Sequence, residues 1–107
     1  MEQKVLALLG FAQKAKKLVS GESAAEALLK KNQAKLIILA DDISANVRKK
    51  YTLWAGDQNI PLITGGPKLQ LGMAIGQSPR TVIVVTDNNF AQSILQAGGM
   101  AGDNTDS

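Results

Sequence analysis

The sequence predicts an α/β sandwich, a layer of short buried strands covered by helices. Three observations lead there. Residues 35–40 and 81–85 are apolar and rich in β-branched side chains without alternation, the pattern of strands buried on both faces. Around them apolar residues recur at helical spacing, beginning with Val5, Leu8, Leu9 and Ala12. The chain has 107 residues, 45% hydrophobic and 20% charged, which suffices for one folded core and not for a second.

The first helix carries Val5, Leu8, Leu9 and Ala12 on one face. Lys14, Lys16 and Lys17 crowd its last turn, where cations suit the helix dipole. Leu18, Val19 and Ser20 form a short extended piece, and Gly21 breaks the chain. A second helix buries Ala25, Leu28 and Leu29 and closes at Lys30, Lys31 and Asn32. Ser23 and Glu26 match a capping box at its start, each side chain accepting from the other's backbone N–H. After the strand at 35–40, Asp41, Asp42 and Ile43 turn the chain. Ser44 then caps a third helix whose apolar face is Val47, Tyr51, Trp54 and Ala55, with Arg48, Lys49 and Lys50 on its exposed side. Residues 60–63 form a short strand, and Pro61 suits its first positions or a sheet edge. Residues 64–67 are a loop, Pro67 fits the first turn of a helix running to Ile75, and Gly76 stops that helix. The strand at 81–85 leads to a last helix from near Asn89 to Ala97, with Phe90, Ile94 and Leu95 inward. One domain is expected over residues 1–97. The Gly-rich, acidic residues 98–107 are expected to be disordered.

The composition excludes much chemistry. With no Cys and no His, disulfides, thiol nucleophiles, histidine bases and the usual zinc sites are out. There is no dinucleotide or Walker glycine pattern and no nucleophile elbow, and Gly65, Gly66 and Pro67 read as a plain turn. The expectation is no enzyme, no catalytic residue, no cofactor and no metal. No apolar run is long enough to span a membrane, and the start at Met1, Glu2, Gln3 and Lys4 has no signal-peptide character, so a cytoplasmic domain is expected.

Asp41 and Asp42, just past a buried strand, are the most enzyme-like feature. Adjacent carboxylates there can hold Mg²⁺. A Mg²⁺-dependent phosphoacceptor switch would further need an acceptor Asp, for which Asp87 is the candidate. The simpler reading is that Asp42 and Ser44 form the turn and cap the next helix. Charge is uneven: residues 1–50 carry ten bases against five acids, and residues 51–107 two against four. That points toward a polyanionic partner. The start of the second helix, after Ser20, Gly21, Glu22 and Ser23, can offer free N–H groups to a phosphate.

Several segments in order carry a family resemblance: residues 8–12 (LLGFA), 14–22 (KAKKLVSGE), 34–42 (AKLIILADD), 71–76 (LGMAIG) and 84–87 (VVTD) followed by Phe90 and Ala91. The chain resembles the bacterial YlxQ family, ribosomal-protein-like relatives of archaeal L-seven-Ae, which binds kink-turn RNA. The resemblance implies a three-layer α/β/α sandwich with a mixed four-stranded sheet. It also implies an RNA surface made by the glycine-led start of the second helix, the acidic loop at 41–44 and the loop at 76–80. These would converge and place Arg80 beside Gly21. The family's base-reading Asn, Glu and Lys correspond to Ser23, Ala24 and Ala27 here, and Lys31 stands where kink-turn binders have Arg. Contact mainly through phosphates and RNA shape is therefore expected.

The expected RNA-binding residues are Lys14, Lys16, Lys17, Ser20, Gly21, Glu22, Ser23, Lys31, Asp42, Gly76, Gln77, Ser78 and Arg80, with the lysines flanking the Gly21 loop. The expected partner is structured RNA, foremost ribosomal RNA, with the ribosome or translation or transcription factors beside it, no membrane, and a monomeric protein. A protein-interaction module on the same fold is the alternative.

Overall fold

The structure, a computed structural model, describes residues 1–98. The expected disordered segment lies outside the described residues from Gly99 onward. The elements run α1 (Gln3–Lys14), β1 (Leu18–Ser20), α2 (Glu22–Lys30), β2 (Leu36–Leu39), α3 (Ala45–Gln58), β3 (Leu62–Thr64), α4 (Lys68–Ala74), β4 (Val82–Val85) and α5 (Asn88–Ala97). The strands form one sheet in the order β1-β4-β2-β3. β4 runs antiparallel to both β1 and β2, and β2 is parallel to β3, so the sheet is mixed.

The central strands explain the layers. β2 and β4 are buried along their whole length, and successive side chains point to opposite faces. Leu36, Ile38, Ile83 and Val85 pack against Val5, Leu9 and Ala12 of α1, Leu71 of α4 and Ile94 of α5. Ile37, Leu39, Val82 and Val84 pack against Ala25 and Leu29 of α2 and Tyr51 and Ala55 of α3. Helices thus cover both faces, giving three layers. No helix among the described residues is long and apolar enough to cross a membrane.

Some boundaries differ from expectation. The strand expected at 60–63 begins two residues later, at Leu62, and ends one later, at Thr64. Pro61 has no N–H to give the ladder, and its carbonyl accepts from Ile37 at 2.9 Å just before the pairing begins. Ile60 is instead drawn under α3 by its N–H bond to the Ala55 carbonyl, 2.8 Å. Pro67 precedes the first turn of α4 rather than lying in it. Ser44 caps α3 as expected, its hydroxyl accepting from the Val47 N–H at 3.2 Å. The capping box of Ser23 and Glu26 does not form. Gly21 occupies the cap position, α2 starts at Glu22, and no side chain caps it.

Candidate nucleic-acid interface

Strand direction sorts the loops. β1, β2 and β3 point the same way and β4 points back. The exits of β1, β2 and β3 and the entry to β4 therefore share one end, here called the glycine end. The entries to β1, β2 and β3 and the exit of β4 share the other, the lysine end.

At the glycine end, Gly21 links β1 to α2. Its φ of +91° lies in the region that favours glycine, and a Cβ there would meet nothing within 4 Å. The backbone, not crowding, requires the glycine, and the surface above it is open. Its N–H donates to the Val82 carbonyl at 2.9 Å, which ties the turn to β4. With no side chain capping α2, the first-turn N–H groups keep their partial positive charge for a ligand.

Arg80 joins this turn to the loop before β4. Its Nε donates to Ser20 Oγ at 2.9 Å. Nη1 donates to Ser78 Oγ at 2.7 Å and Nη2 to Gln77 Oε1 at 3.2 Å. Nη1 also donates to the Ser78 carbonyl at 3.3 Å, so four of the fork's five donors are spent on holding the loop, while the charge stays half-exposed. Gly76, at φ +71°, turns the chain into this loop with open space around it. Gly72 of α4 lets the loop lie close: a Cβ there would come within 2.6 Å of the Ser78 carbonyl carbon and 2.9 Å of the Gln77 oxygen.

Asp42 does not turn the chain into α3. Its Oδ1 accepts from the Lys68 N–H at 2.9 Å, capping α4 from a distance because Pro67 has no side chain able to do so. Arg48 folds over the end of β2, donating to Thr64 Oγ1 at 3.1 Å and the Ala40 carbonyl at 3.4 Å. Lys50 bridges α3 to α2 through Glu26 at 2.8 Å and Glu22 at 3.2 Å. The Lys50 ammonium holds the Glu26 carboxyl below its ordinary value of 4.5. Neither base is the freely solvated group expected. The two acids of α2 one turn apart hinted that a cation would serve them, but nothing local marked Lys50, Arg48 or Gly72.

Of the expected site residues, Ser20, Gly21, Glu22, Ser23, Asp42, Gly76, Gln77, Ser78 and Arg80 gather at the glycine end. The lysines do not flank the Gly21 loop. The Lys17 carbonyl accepts from the Thr86 N–H at 2.9 Å, so Lys14, Lys16 and Lys17 lie at the other end of β1. Gly21 lies four extended steps beyond Lys17, roughly 13 Å. Lys31 closes α2, ten residues and about 15 Å of helix from Gly21. The phosphoacceptor switch is excluded by the same topology. Leu36 pairs with Val85, so Asp87 follows β4 at the lysine end while Asp41 and Asp42 follow β2 at the glycine end. The Asp87 carboxylate caps α5, accepting from the Phe90 N–H at 2.9 Å. Among the described residues no group of three or more His, Cys, Asp or Glu side chains is placed to hold a metal ion.

Known proteins share this sequence pattern and fold. The chain is 36% identical over 88 residues to RNA-binding protein YlxQ of Bacillus subtilis (strain 168), covering 82% of this chain and 88% of that one. It is 32% identical over 90 residues to RNA-binding protein YlxQ of Enterococcus faecium, covering 84% and 86%. The solved structure of a protein of unknown function from Bacillus halodurans C superposes with a TM-score of 0.85 at 34% identity, covering 90% of this chain and 97% of that one. The fold is shared with the Giardia lamblia 15.5kD RNA binding protein, at TM-score 0.78, 20% identity and coverage of 92% and 86%. The sequence pattern of the ribosomal protein L7Ae/L30e/S12e/Gadd45 family matches residues 3–96, and the chain belongs to that family.

Proposed function

We propose that this chain is a non-enzymatic RNA-binding protein that holds structured RNA at the glycine end. One observation carries the reading. The Arg80–Ser20 bond fastens the loop before β4 to the uncapped start of α2. Segments far apart in sequence thereby present a cation, unused helix N–H groups and two open glycine turns to one ligand. Phosphate oxygens match all three features. The names of the two YlxQ relatives support the choice of RNA.

Ser23 and Ala27 are exposed and Ala24 is half-buried, and their short side chains reach no base edge in the way an Asn, Glu and Lys would. Each absent bidentate contact removes about 1–3 kcal/mol of base discrimination. The RNA is therefore recognised by backbone path and shape, as in a kinked helix or a folded ribosomal segment. A monomer working in the cytoplasm, alone or with ribosomes or translation and transcription factors, fits this role.

The test is titration of a labelled RNA hairpin containing an internal kink, over a range of salt concentrations. Log affinity should fall against log salt with a slope of about 0.7–0.9 per phosphate neutralised. Changing unpaired bases while keeping the kink should shift affinity little. Ser20→Ala and Arg80→Gln should each weaken binding. A salt-independent affinity, or wild-type binding by Arg80→Gln, would refute the site.

A further inference from the structure

The lysines absent from the glycine end form a surface of their own. Lys14, Lys16 and Lys17 lead out of α1, Lys30 and Lys31 close α2, and Lys35 enters β2. All six are exposed, and none pairs with a carboxylate among the described residues. Backbone bonds bring them together: Thr86 donates to the Lys17 carbonyl at 2.9 Å and Lys35 donates to the Val85 carbonyl at 2.8 Å. Three lysine-bearing segments thus meet around the exit of β4. Among the described residues the acids at this end are Asp57 and Asp87, the latter occupied in capping α5. The glycine end, by contrast, carries Glu2, Glu22, Glu26, Asp41 and Asp42 beside its bases, and Lys50 is paired twice.

Two further features mark the lysine end. Among the described residues, the non-glycine positions with left-handed backbone, Lys16, Asn32 and Asn59, all lie there. They close the turns that end α1, α2 and α3: after α1, Lys16 takes the left-handed position while the Lys17 N–H donates to the Ala12 carbonyl at 2.8 Å. Beside the lysines opens a groove of about 620 Å³, its walls including Asn32, Lys35, Asp57, Asn59, Asn88 and Gln92. Side-chain amides match the paired donors and acceptors of base edges, and a carboxylate accepts from exocyclic amines. Asp57 repels phosphate from the groove, which leaves phosphates to the lysine rim and a base to the interior.

We propose that the lysine end is a second RNA-binding surface, its lysines holding the phosphates of an unpaired strand while the amide groove takes a base. The choice of RNA over another polyanion rests on the reading of the glycine end. The two surfaces lie about 15 Å apart along α2, beyond the screening length of about 8 Å at physiological ionic strength. Each can therefore engage its own segment, and one protein can link a folded RNA to a single strand.

The experiment uses the full chain, the kinked hairpin and a short unpaired oligoribonucleotide of mixed sequence carrying a different label. Lys14→Gln, Lys17→Gln, Lys31→Gln and Lys35→Gln are combined in one variant, with its melting temperature compared to wild type. All four positions are exposed, so the fold should persist. Wild type should bind the strand while holding the immobilised hairpin. The lysine variant should keep the hairpin and lose the strand, its salt slope for the strand falling by about 3 if all four cations meet phosphates. Arg80→Gln should do the reverse. Strand binding by the lysine variant at an unchanged slope would overturn the proposal. So would equal loss of both RNAs in both variants, which would mean a single surface. Hairpin binding without strand binding by wild type sinks the second surface alone. Lysine-dependent strand binding without hairpin binding sinks the glycine-end site and keeps this one. An acidic protein that displaces no RNA yet needs the same lysines would reassign the surface and overturn it.

Discussion

A methyl group at Gly72 tests whether the 76–80 loop is built on close backbone contact with α4. Two effects oppose each other. Replacing glycine by alanine inside a helix favours folding by about 1 kcal/mol. Against that, the new Cβ would lie 2.6 Å from the Ser78 carbonyl carbon and 2.9 Å from the Gln77 oxygen, both backbone atoms that cannot swing aside. Overpacking of that kind costs about 1–3 kcal/mol. Moving the loop also endangers the 2.8 Å bond from the Gln77 N–H to the Gly72 carbonyl, worth about 1 kcal/mol. The sum is a net destabilisation of about 1–3 kcal/mol. Thermal unfolding should show a fall of at least about 4 °C. Hairpin affinity should fall with it, because Ser78 and Arg80 move. Gly56→Ala is the control: in α3, with nothing within 4 Å of the added Cβ, it should stabilise by up to about 1 kcal/mol. A Gly72→Ala protein as stable as wild type, with its RNA affinity intact, would refute the reasoning.

Further outcomes follow from other contacts. The Tyr51 hydroxyl is buried without a hydrogen-bond partner, so Tyr51→Phe should leave stability unchanged or raise it by about 1–2 kcal/mol in urea titrations. Burial pushes the Tyr51 phenol up to about 12 from 10.0, so folding disfavours its ionised form; stability is lost as pH rises from about 10 to 12, and Tyr51→Phe should reduce that loss. Lys50→Met removes the cation that lowers the Glu26 carboxyl. The stability this pair adds is present above pH 4.5 and fades as pH falls below it, so variant and wild type should converge in acid melts. Asp42→Ala strips α4 of its remote cap and should cost about 0.5–2 kcal/mol by chemical denaturation. Arg80→Lys keeps the charge but cannot span Ser20, Ser78 and Gln77 together, so it should bind the hairpin closer to Arg80→Gln than to wild type.

Much of the fold was legible because burial on both faces and helical periodicity are local signals. The unbroken apolar runs at β2 and β4 announced the centre of the sheet, and the Ser44 cap was visible from its position alone. The capping box failed because Gly21, at φ +91°, already ended the strand and took the cap position. The Glu26 of that motif, with Glu22 one turn before it, in space serves Lys50 from another helix. The Asp42 cap on α4 joins residues 26 apart in sequence, and no local pattern carries such a contact.

Charge placement was the least legible feature, for a geometric reason. Lys17 and Gly21 are sequence neighbours, yet an extended strand advances about 3.3 Å per residue and sets them at opposite ends of the sheet. Lys31 looks close to the same helix start, but the helix carries it away by its full length. Arg80, remote in sequence, returns to Ser20 because antiparallel pairing of β1 with β4 aligns the end of one with the start of the other. Strand direction, rather than distance along the chain, decides which charges share a ligand. In a sheet with three strands parallel and one reversed, the helices that follow β1, β2 and β3 start at the glycine end and α5, after β4, starts at the other. The uncapped N–H groups of α2 and the cations closing α1 and α2 are then forced apart, and a single RNA contact confined to one end leaves six lysines without a role.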